Sequence, residues 1–157
     1  MKSEKQKKVI IISTIAFIIF LCSLIIFLVK TNETRRVFLF QSFDDKETHV
    51  EVRYLPKVDK EWVIEQYVNE LLHGPLHDRY RPLFPNGTRI ISCFLRENTL
   101  YVDLSEEAIL QQVVSSETKD AVELFKKNIK KNFRSIDEVI LFMMGVEVYT
   151  QDVSVEK

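Results

Sequence analysis

The sequence predicts an α+β fold, an open α/β sandwich with a mixed β-sheet and two main helices on one face, preceded by one transmembrane helix. Three observations support this prediction: an uninterrupted apolar run at residues 9–29, short strand-forming runs separated by turn signals, and two longer segments with apolar side chains at helical spacing. The predicted order after the apolar run is β-β-α-β-β-α-β. About 128 residues follow that run, which suffices for one domain with its own core.

The apolar run at residues 9–29 contains no charged residue, no Pro and no Gly. A helix of that length spans about 31 Å, close to the hydrocarbon thickness of a bilayer. A cleaved signal peptide would be shorter and end in a small-x-small site, which Phe27-Leu28-Val29 does not offer. A lipoprotein signal needs a small residue before its cysteine, whereas Cys22 follows Leu21. The run is therefore predicted to be an uncleaved signal-anchor.

Basic residues at the two ends of the helix predict its orientation. Four lysines lie within the first eight residues, whereas Lys30, Arg35 and Arg36 follow the helix. The small excess on the N-terminal side favours an N-terminus inside the cytoplasm and a soluble domain outside it.

The first strands of the soluble part follow a polar linker at residues 30–36. An apolar run at Val37–Phe40 suits a buried strand, and the segment His49–Tyr54 alternates, with valines and tyrosine on one side and charged residues on the other. The turn signal at residues 44–46 predicts that the two strands pair as a hairpin.

The first helix of the domain is predicted to begin at Asp59, a favourable N-cap residue, and to run for about four turns. Ile64, Val68 and Leu71 then recur at helical spacing. Gly74-Pro75 predicts the end, because glycine adopts the left-handed conformation and proline prevents continuation.

The second half of the domain begins with a predicted hairpin of residues 89–95 and 99–104 around a three-residue turn. Ser105 is expected to cap a short helical turn, and Ser115 or Ser116 a longer helix. That helix has an apolar stripe formed by Ala121, Val122, Phe125, Ile129 and Phe133. A strongly apolar strand at residues 139–144 follows, and Gly145 marks a bulge or a turn before a last segment at 146–149.

Charge and cysteine content exclude several classes of protein. The 18 basic and 22 acidic residues after Val29 lack the overall basic field of a nucleic-acid binder. Cys22 lies in the apolar helix and Cys93 in the domain, so an internal disulfide is not expected, and two cysteines are too few for a metal site. The sequence predicts no cofactor, no metal and no nucleic-acid partner.

Residues that resemble catalytic or metal-binding groups have simpler explanations. His73 and His77 are four residues apart, as in some metal sites, but Gly74-Pro75 breaks the helix between them. Asp103 with Glu106 and Glu107 could mimic a carboxylate pair for glycoside or peptidoglycan cleavage. Carboxylates at a helix N-terminus more simply favour the helix dipole. Nucleophile elbows and P-loops are not found in the sequence, so an enzyme is not predicted.

Two segments are candidate interaction surfaces. The loop 75–88 places aromatic and basic residues together, and its candidate contact residues are Arg79, Tyr80, Arg81, Leu83 and Phe84. The alternative is that Leu83 and Phe84 fold back onto the core. The lysine-rich run 126–131 could meet anionic lipid or polymer, or form the solvated face of an amphipathic helix.

Three short motifs resemble the GerM-like (GerMN) domain family over roughly residues 36–150. The motifs are Glu70-Leu71-Leu72-His73-Gly74-Pro75, Pro85-Asn86-Gly87-Thr88-Arg89-Ile90 and Leu100-Tyr101-Val102-Asp103-Leu104-Ser105. The resemblance implies a bacterial cell-envelope domain of sporulation or germination proteins, exported and membrane-anchored, similar to ring-building domains and without enzyme activity. Many members appear to be lipoproteins, from which Cys22 departs, and this chain has room for one copy of the domain.

The resulting prediction is a membrane-anchored, non-catalytic interaction or assembly module in the bacterial inner (cytoplasmic) membrane, with its domain extracytoplasmic or periplasmic. The expected segments are a cytoplasmic tail at 1–8, the transmembrane helix at 9–29, the linker at 30–36, the domain at 37–150 and a flexible tail at 151–157. Expected partners are the membrane, envelope proteins or further copies of the chain, and cell-wall polymer. The alternatives are a membrane-tethered enzyme acting on the cell wall and an extracytoplasmic ligand-binding domain.

Overall fold

The computed structural model describes residues 4–30, 32–44, 47–109 and 115–148. These form two compact units, of which one contains the N-terminal helix α1 (Glu4–Lys30) and residues 54–57. The segment Gln6–Leu28 of α1 has a mean hydropathy of 3.1, and by length and composition it could cross a membrane. Thr14, in the middle of this segment, donates its hydroxyl proton to the Ile10 carbonyl at 2.9 Å, so this hydroxyl is satisfied within the helix.

The second unit has the predicted α+β fold, but its strands form two sheets instead of one. Its elements are β1 (Glu33–Ser42), β2 (Thr48–Pro56), α2 (Val63–Leu72), β3 (Tyr80–Arg81), β4 (Ile90–Arg96), β5 (Thr99–Leu104), α3 (Ser115–Asn132), β6 (Glu138–Met143) and β7 (Val146–Glu147), with β1 and β2 extending into the first unit. The sheets have the orders β2-β1-β3 and β4-β5-β6-β7. In the second sheet β5 and β6 are parallel and the other neighbours antiparallel.

The core of the domain lies between the second sheet and the two helices α2 and α3. Alternate residues of β5 and β6 are buried, α2 contacts β4, and α3 contacts β6. The fully buried apolar side chains of these elements are Val68, Leu71, Leu100, Val102, Leu104, Val122, Phe125, Ile129 and Leu141. Each contributes about 1.5–3 kcal/mol relative to exposure, so this layer is the main source of stability.

Helix α2 begins later than the sequence predicts and ends where expected. The Asp59 carbonyl accepts the Trp62 N–H at 2.9 Å, so residues 59–62 form a turn and the helix begins at Val63. The predicted N-cap at Asp59 is therefore wrong, and the helix has ten residues, about three turns. Gly74 has φ of +83° and donates to the Leu71 carbonyl, which confirms the predicted stop.

Two tight turns connect the strands of the second sheet. Arg96 pairs with Thr99, so the β4–β5 turn contains two residues, Glu97 and Asn98, instead of the predicted three. Met143 pairs with Val146, and the intervening Met144 and Gly145 have φ of +55° and +73°. Positive φ at both central positions is the pattern of a type I′ turn, so Gly145 marks a hairpin.

Strand β2 buries its charged residues and exposes its valines. Glu51 and Arg53 are 9% and 8% exposed, whereas Val50 is 58% exposed. The Arg53 guanidinium donates to Glu51 Oε1 at 2.6 Å and to the Gly74 carbonyl at 2.6 Å, and it lies 4.6 Å from the centre of the Phe38 ring. The buried charge is thus paired, and it fixes the C-terminal end of α2 against β2.

Two asparagines of α3 pair with the backbone of β1. Asn128 accepts the Leu39 N–H at 2.7 Å and donates to the Leu39 carbonyl at 2.9 Å, and Asn132 does the same for Val37 at 3.0 and 2.7 Å. Four residues along a helix rise about 6 Å and two residues along a strand about 6.7 Å, so the two spacings match. We call these two side chains the asparagine ladder.

The asparagine ladder is completed by Tyr67 of α2. The Tyr67 hydroxyl donates to the Val37 carbonyl at 2.8 Å and lies 3.1 Å from Asn128 Oδ1. Burial raises the pKa of Tyr67 well above its ordinary value, so this hydroxyl stays protonated. The network ties α2, α3 and β1 together through polar groups that are buried or partly buried and satisfied by one another.

Candidate functional site

A cleft lies where the C-terminal end of α2 meets the segment before β4. Its volume is about 610 Å³, within the usual range for small-molecule sites. The residues that line it are Asn69, Leu72, His73, Asn86, Gly87, Thr88, Arg89 and Glu107. The first two sequence motifs both contribute to this lining.

Local hydrogen bonds hold the wall of the cleft formed by residues 85–89. The Thr88 hydroxyl donates to the Pro85 carbonyl at 2.7 Å, and Gly87 takes φ of +92° in the turn between them. The Arg89 N–H donates to the Ser105 hydroxyl at 3.0 Å, and the Ser105 N–H donates to the Arg89 carbonyl at 2.9 Å. Ser105 therefore joins the third motif to the second, and its side chain does not cap the 3₁₀ turn that follows at Glu106–Ala108.

The charges in the cleft nearly offset one another. Arg89 Nη2 lies 3.4 Å from Glu107 Oε1, and the guanidinium side chain is 78% exposed. A hydrogen bond from the Ser105 hydroxyl, then the Glu107 backbone N–H and Arg89, hold the pKa of Glu107 below its usual range, so this carboxyl is ionised at neutral pH. The Glu107 Oε2 atom has no exposed surface and makes no hydrogen bond of ordinary geometry to any described residue.

His73 adds an acceptor to the cleft. Its Nδ1 lies 2.7 Å from the Asn69 carbonyl, which can only accept, so Nδ1 carries the proton. In the neutral ring Nε2 is then an unprotonated acceptor. Together with the amides of Asn69 and Asn86, the cleft presents donors and acceptors around one apolar residue, Leu72. Such a set suits recognition of an uncharged polar molecule.

The carboxylates weighed as a catalytic pair do not converge. Asp103 does not line the cleft; its carboxylate instead accepts the Gly145 N–H at 3.1 Å and braces the β6–β7 turn. Glu106 is exposed in the 3₁₀ turn and also lies outside the cleft lining. Hydrolysis by two carboxylates requires both to flank one bond, an arrangement that these positions do not provide.

Histidines and cysteines show no metal-binding arrangement among the residues that the structure describes. In those ranges no group of three or more His, Cys, Asp and Glu side chains could hold a metal ion. His49 stacks on Tyr80 at 5.1 Å, and His77 meets the same ring edge-on at 6.1 Å. Burial, with a smaller effect of Glu65, raises the pKa of the Cys93 thiol to about 11, which keeps it in its unreactive form.

The loop 75–88 divides into a buried part and an exposed part. Leu83 and Phe84 are buried, and the Phe84 ring packs edge-on against Phe125 at 5.8 Å. These two residues fold back onto the core, which is the alternative that the sequence left open for this loop, and they contribute no exposed surface. Sequence alone does not separate such buried anchors from an exposed apolar patch.

The remaining residues of the candidate interaction surface are Tyr80 and Arg81, which form strand β3, and Arg79, which directly precedes it. Arg79 and Arg81 are exposed and Tyr80 is half-buried. The Arg81 guanidinium lies 5.0 Å from the centre of the Phe43 ring, whose side chain is also exposed. We call residues 79–81 together with Phe43 the β3 surface. Phe43 is the member that the sequence did not suggest, because it precedes the β1–β2 turn and belongs to no motif.

Comparisons with known proteins agree with the motifs. Residues 36–149 match the Germane family, described as sporulation and spore germination. An uncharacterized lipoprotein from Treponema pallidum (strain Nichols) is 29% identical over 89 residues, which are 57% of this chain and 66% of the relative.

Two solved structures share the fold. The first GerMN domain of the sporulation protein GerM from Bacillus subtilis superposes with a TM-score of 0.56 and 21% identity, over 76% of this chain and 90% of that domain. The tandem GerMN domains of the same protein give a TM-score of 0.55 and 19% identity, over 74% of this chain and 41% of the tandem. Because the family model matches residues 36–149, most of the chain, the chain belongs to the Germane family of sporulation and spore germination.

Proposed function

We propose that the protein is a membrane-anchored, non-catalytic interaction module of a bacterial cell envelope, with its Germane domain outside the cytoplasm. The observation that carries this proposal is the helix α1, whose apolar side chains from Val9 to Leu28 are exposed along its length. So large an apolar surface needs lipid or a partner to cover it. A lipoprotein among the relatives, which by its printed name is lipid-linked, supports the same location.

The motif residues support a non-catalytic role because they hold elements together. The Gly74 carbonyl binds Arg53, Ser105 joins β5 to the segment before β4, and Asp103 binds the β6–β7 turn. Each of these bonds gives the motif that contains it a structural role in the fold. The mechanism would be display: anchoring confines the domain to the membrane surface and raises its effective concentration for neighbouring envelope proteins.

Membrane anchoring and orientation are tested together by fractionation and protease treatment. We expect the full chain to resist alkaline extraction of membranes and its domain to be digested from outside in intact spheroplasts. A variant lacking residues 1–29 should become soluble. A domain protected from outside and digested only in inverted vesicles would contradict the proposed orientation.

The β3 surface is the proposed contact with an envelope partner, since arginine and aromatic residues are common interface anchors. Crosslinking in native membranes should yield a complex that is lost in Arg79→Glu/Arg81→Glu. The control is Arg96→Glu, an exposed arginine of β4. Equal loss in the control, or no loss in the double variant, would exclude the β3 surface as the contact.

A second function, ligand binding, is favoured by the cleft itself, whose volume of about 610 Å³ suits a small molecule. The amides of Asn69 and Asn86, the His73 ring and the Glu107 carboxylate give its lining both donors and acceptors. Because Arg89 offsets the charge, the expected ligand is neutral and polar. We expect an N-acetylglucosamine trimer to bind the full chain in detergent. Its affinity should be lower for Glu107→Ala and unchanged for Glu106→Ala. Equal binding to all three proteins, or to none, would refute this function.

A further inference from the structure

The C-terminal half of α3 and the turn that follows it carry a cluster of positive charge. Five cations lie within nine residues: Lys126, Lys127, Lys130, Lys131 and Arg134. All but the half-buried Lys126 are exposed. No carboxylate oxygen of the described residues lies within 4.0 Å of any of the five. The neighbouring acids are engaged elsewhere, because Glu123 pairs with Lys119 and Asp137 accepts a hydrogen bond from Asn98.

The asparagine ladder fixes the direction in which this cluster points. Asn128 and Asn132 alternate with the lysines along α3 and bind the backbone of β1. Rotation of the helix would break buried hydrogen bonds, so the lysine face is held outward from the domain. We call the exposed residues Lys127, Lys130, Lys131 and Arg134 the basic face of α3.

The basic face is linked by a short path to the apolar helix. Arg36 donates to the Asn132 carbonyl at 3.4 Å and lies 4.7 Å from the centre of the Phe133 ring, so the start of β1 contacts the end of α3. Arg36 follows Val29 by seven residues. Such a segment reaches at most about 25 Å when fully extended. Chain connectivity therefore limits the distance between Arg36, which contacts the end of α3, and Val29.

We propose that the basic face of α3 binds the anionic lipid headgroups of the membrane in which the chain is anchored. The inference rests on the proposed anchoring by α1. Basic residues next to a membrane are attracted to anionic headgroups within a Debye length of about 8–10 Å. The domain as a whole is mildly acidic, with 22 acidic and 18 basic residues after Val29. An anionic surface therefore repels most of the domain and attracts this face, which would orient the domain on the membrane.

The test uses the full chain in nanodiscs with a fluorescent probe beside the basic face. The probe is attached to Ser135→Cys, an exposed position next to Arg134, in a chain that also carries Cys22→Ala and Cys93→Ala. Discs contain phosphatidylcholine alone or with phosphatidylglycerol, together with a headgroup spin-labelled lipid that quenches the probe. We expect roughly twofold or stronger quenching in the anionic discs at low salt, and loss of the difference at high salt.

Matched variants separate this contact from general electrostatics. Lys130→Gln/Lys131→Gln should abolish the dependence on phosphatidylglycerol. Lys60→Gln/Arg96→Gln removes the same charge from exposed positions on other elements and should retain it. Equal quenching in the two lipids, or equal effects of the two double variants, would overturn the proposal.

Two further outcomes keep this inference distinct from the proposed function. Failure of the full chain to co-purify with either kind of disc would refute anchoring itself, whereas co-purification without dependence on lipid charge refutes only the headgroup contact. Binding of soluble polyglutamate that requires the same two lysines, without lipid-dependent quenching, would assign the face to an anionic polymer and also overturn the headgroup proposal.

Discussion

Replacing Asn128 with alanine should be one of the most destabilising single changes in the domain. Asn128 is fully buried, and its amide is the hydrogen-bond partner of both backbone groups of Leu39. Among the described residues no strand pairs with β1 at Leu39 on the side that faces Asn128, because β3 pairs only with Gln41 and Ser42. Removing the amide therefore leaves the Leu39 N–H and carbonyl without partners.

The expected magnitude follows from the burial of Leu39. That residue is 2% exposed, so water reaches its backbone poorly. A buried group left without a hydrogen bond costs about 1–3 kcal/mol, which gives about 2–6 kcal/mol for the two groups. Partial relaxation or an entering water recovers some of this. We expect a loss of about 3–5 kcal/mol, a large share of the 5–15 kcal/mol typical of domains.

The loss can be measured by denaturant unfolding of the full chain in mild detergent. Trp62 is the single tryptophan and reports on the domain through its fluorescence. Hydrogen exchange of the Leu39 amide adds a local measurement, because this amide should lose protection in Asn128→Ala. The matched control is Asn132→Ala, whose ladder partner Val37 is half-buried and can bond to water. We expect about 1 kcal/mol for that change.

A third variant separates hydrogen bonding from packing. Asn128→Leu fills a similar volume without an amide, so it should remain nearly as destabilising as Asn128→Ala. The explanation would be refuted if leucine restored wild-type stability, or if the changes at Asn128 and Asn132 cost the same. Recovery with leucine would mean that the ladder contributes volume and not hydrogen bonds, whereas equal costs would mean that the burial of Leu39 does not set the magnitude.

Three further predictions concern single positions. Arg53→Met should lower the unfolding free energy by about 3–5 kcal/mol because it leaves Glu51 buried without its cation. Adding Glu51→Gln to this variant should restore part of the loss in thermal melts, and no recovery would contradict the explanation. Met144→Asn should stabilise by about 0.5–1 kcal/mol because asparagine tolerates positive φ, and Gly145→Ala should destabilise. The pKa of the Cys93 thiol, about 11 in the folded state, predicts stability that is lost as pH rises from about 9 to 11, since the unfolded thiol ionises first. Cys93→Ala should flatten that dependence in alkaline unfolding curves.

Local signals in the sequence predicted much of the fold. Gly74-Pro75 predicted the end of α2, and the turn at residues 96–98 predicted the β4–β5 hairpin to within one residue. These features depend on backbone conformation over a few residues, which glycine, proline and strand-forming residues determine directly. The split into two sheets was not predicted, because it depends on which strands meet after long connections.

The asparagine ladder shows why other features were missed. Asn128 and Asn132 lie among lysines in the sequence, and a polar residue in an amphipathic helix is normally assigned to solvent. Only the position of β1 beside α3 gives these amides a buried role. The cleft was missed for a related reason: its lining residues come from three separate segments whose motifs have simple explanations as turns and caps.

Strand β2 alternates as the sequence predicts, but the side that hydrophobic patterning normally buries is the exposed side. The alternation of charged residues with Val50 and Val52 is real, but the charged side faces the core. The reason is specific to the surroundings: the carbonyl at the end of α2, the Phe38 ring and Glu51 together satisfy one guanidinium. Hydrophobic patterning assumes that charge prefers water, and this preference fails where a buried site supplies every bond that water would. The exposed valines of β2, at the edge of the first sheet, are the consequence, because the side chains of a strand must alternate between its two faces.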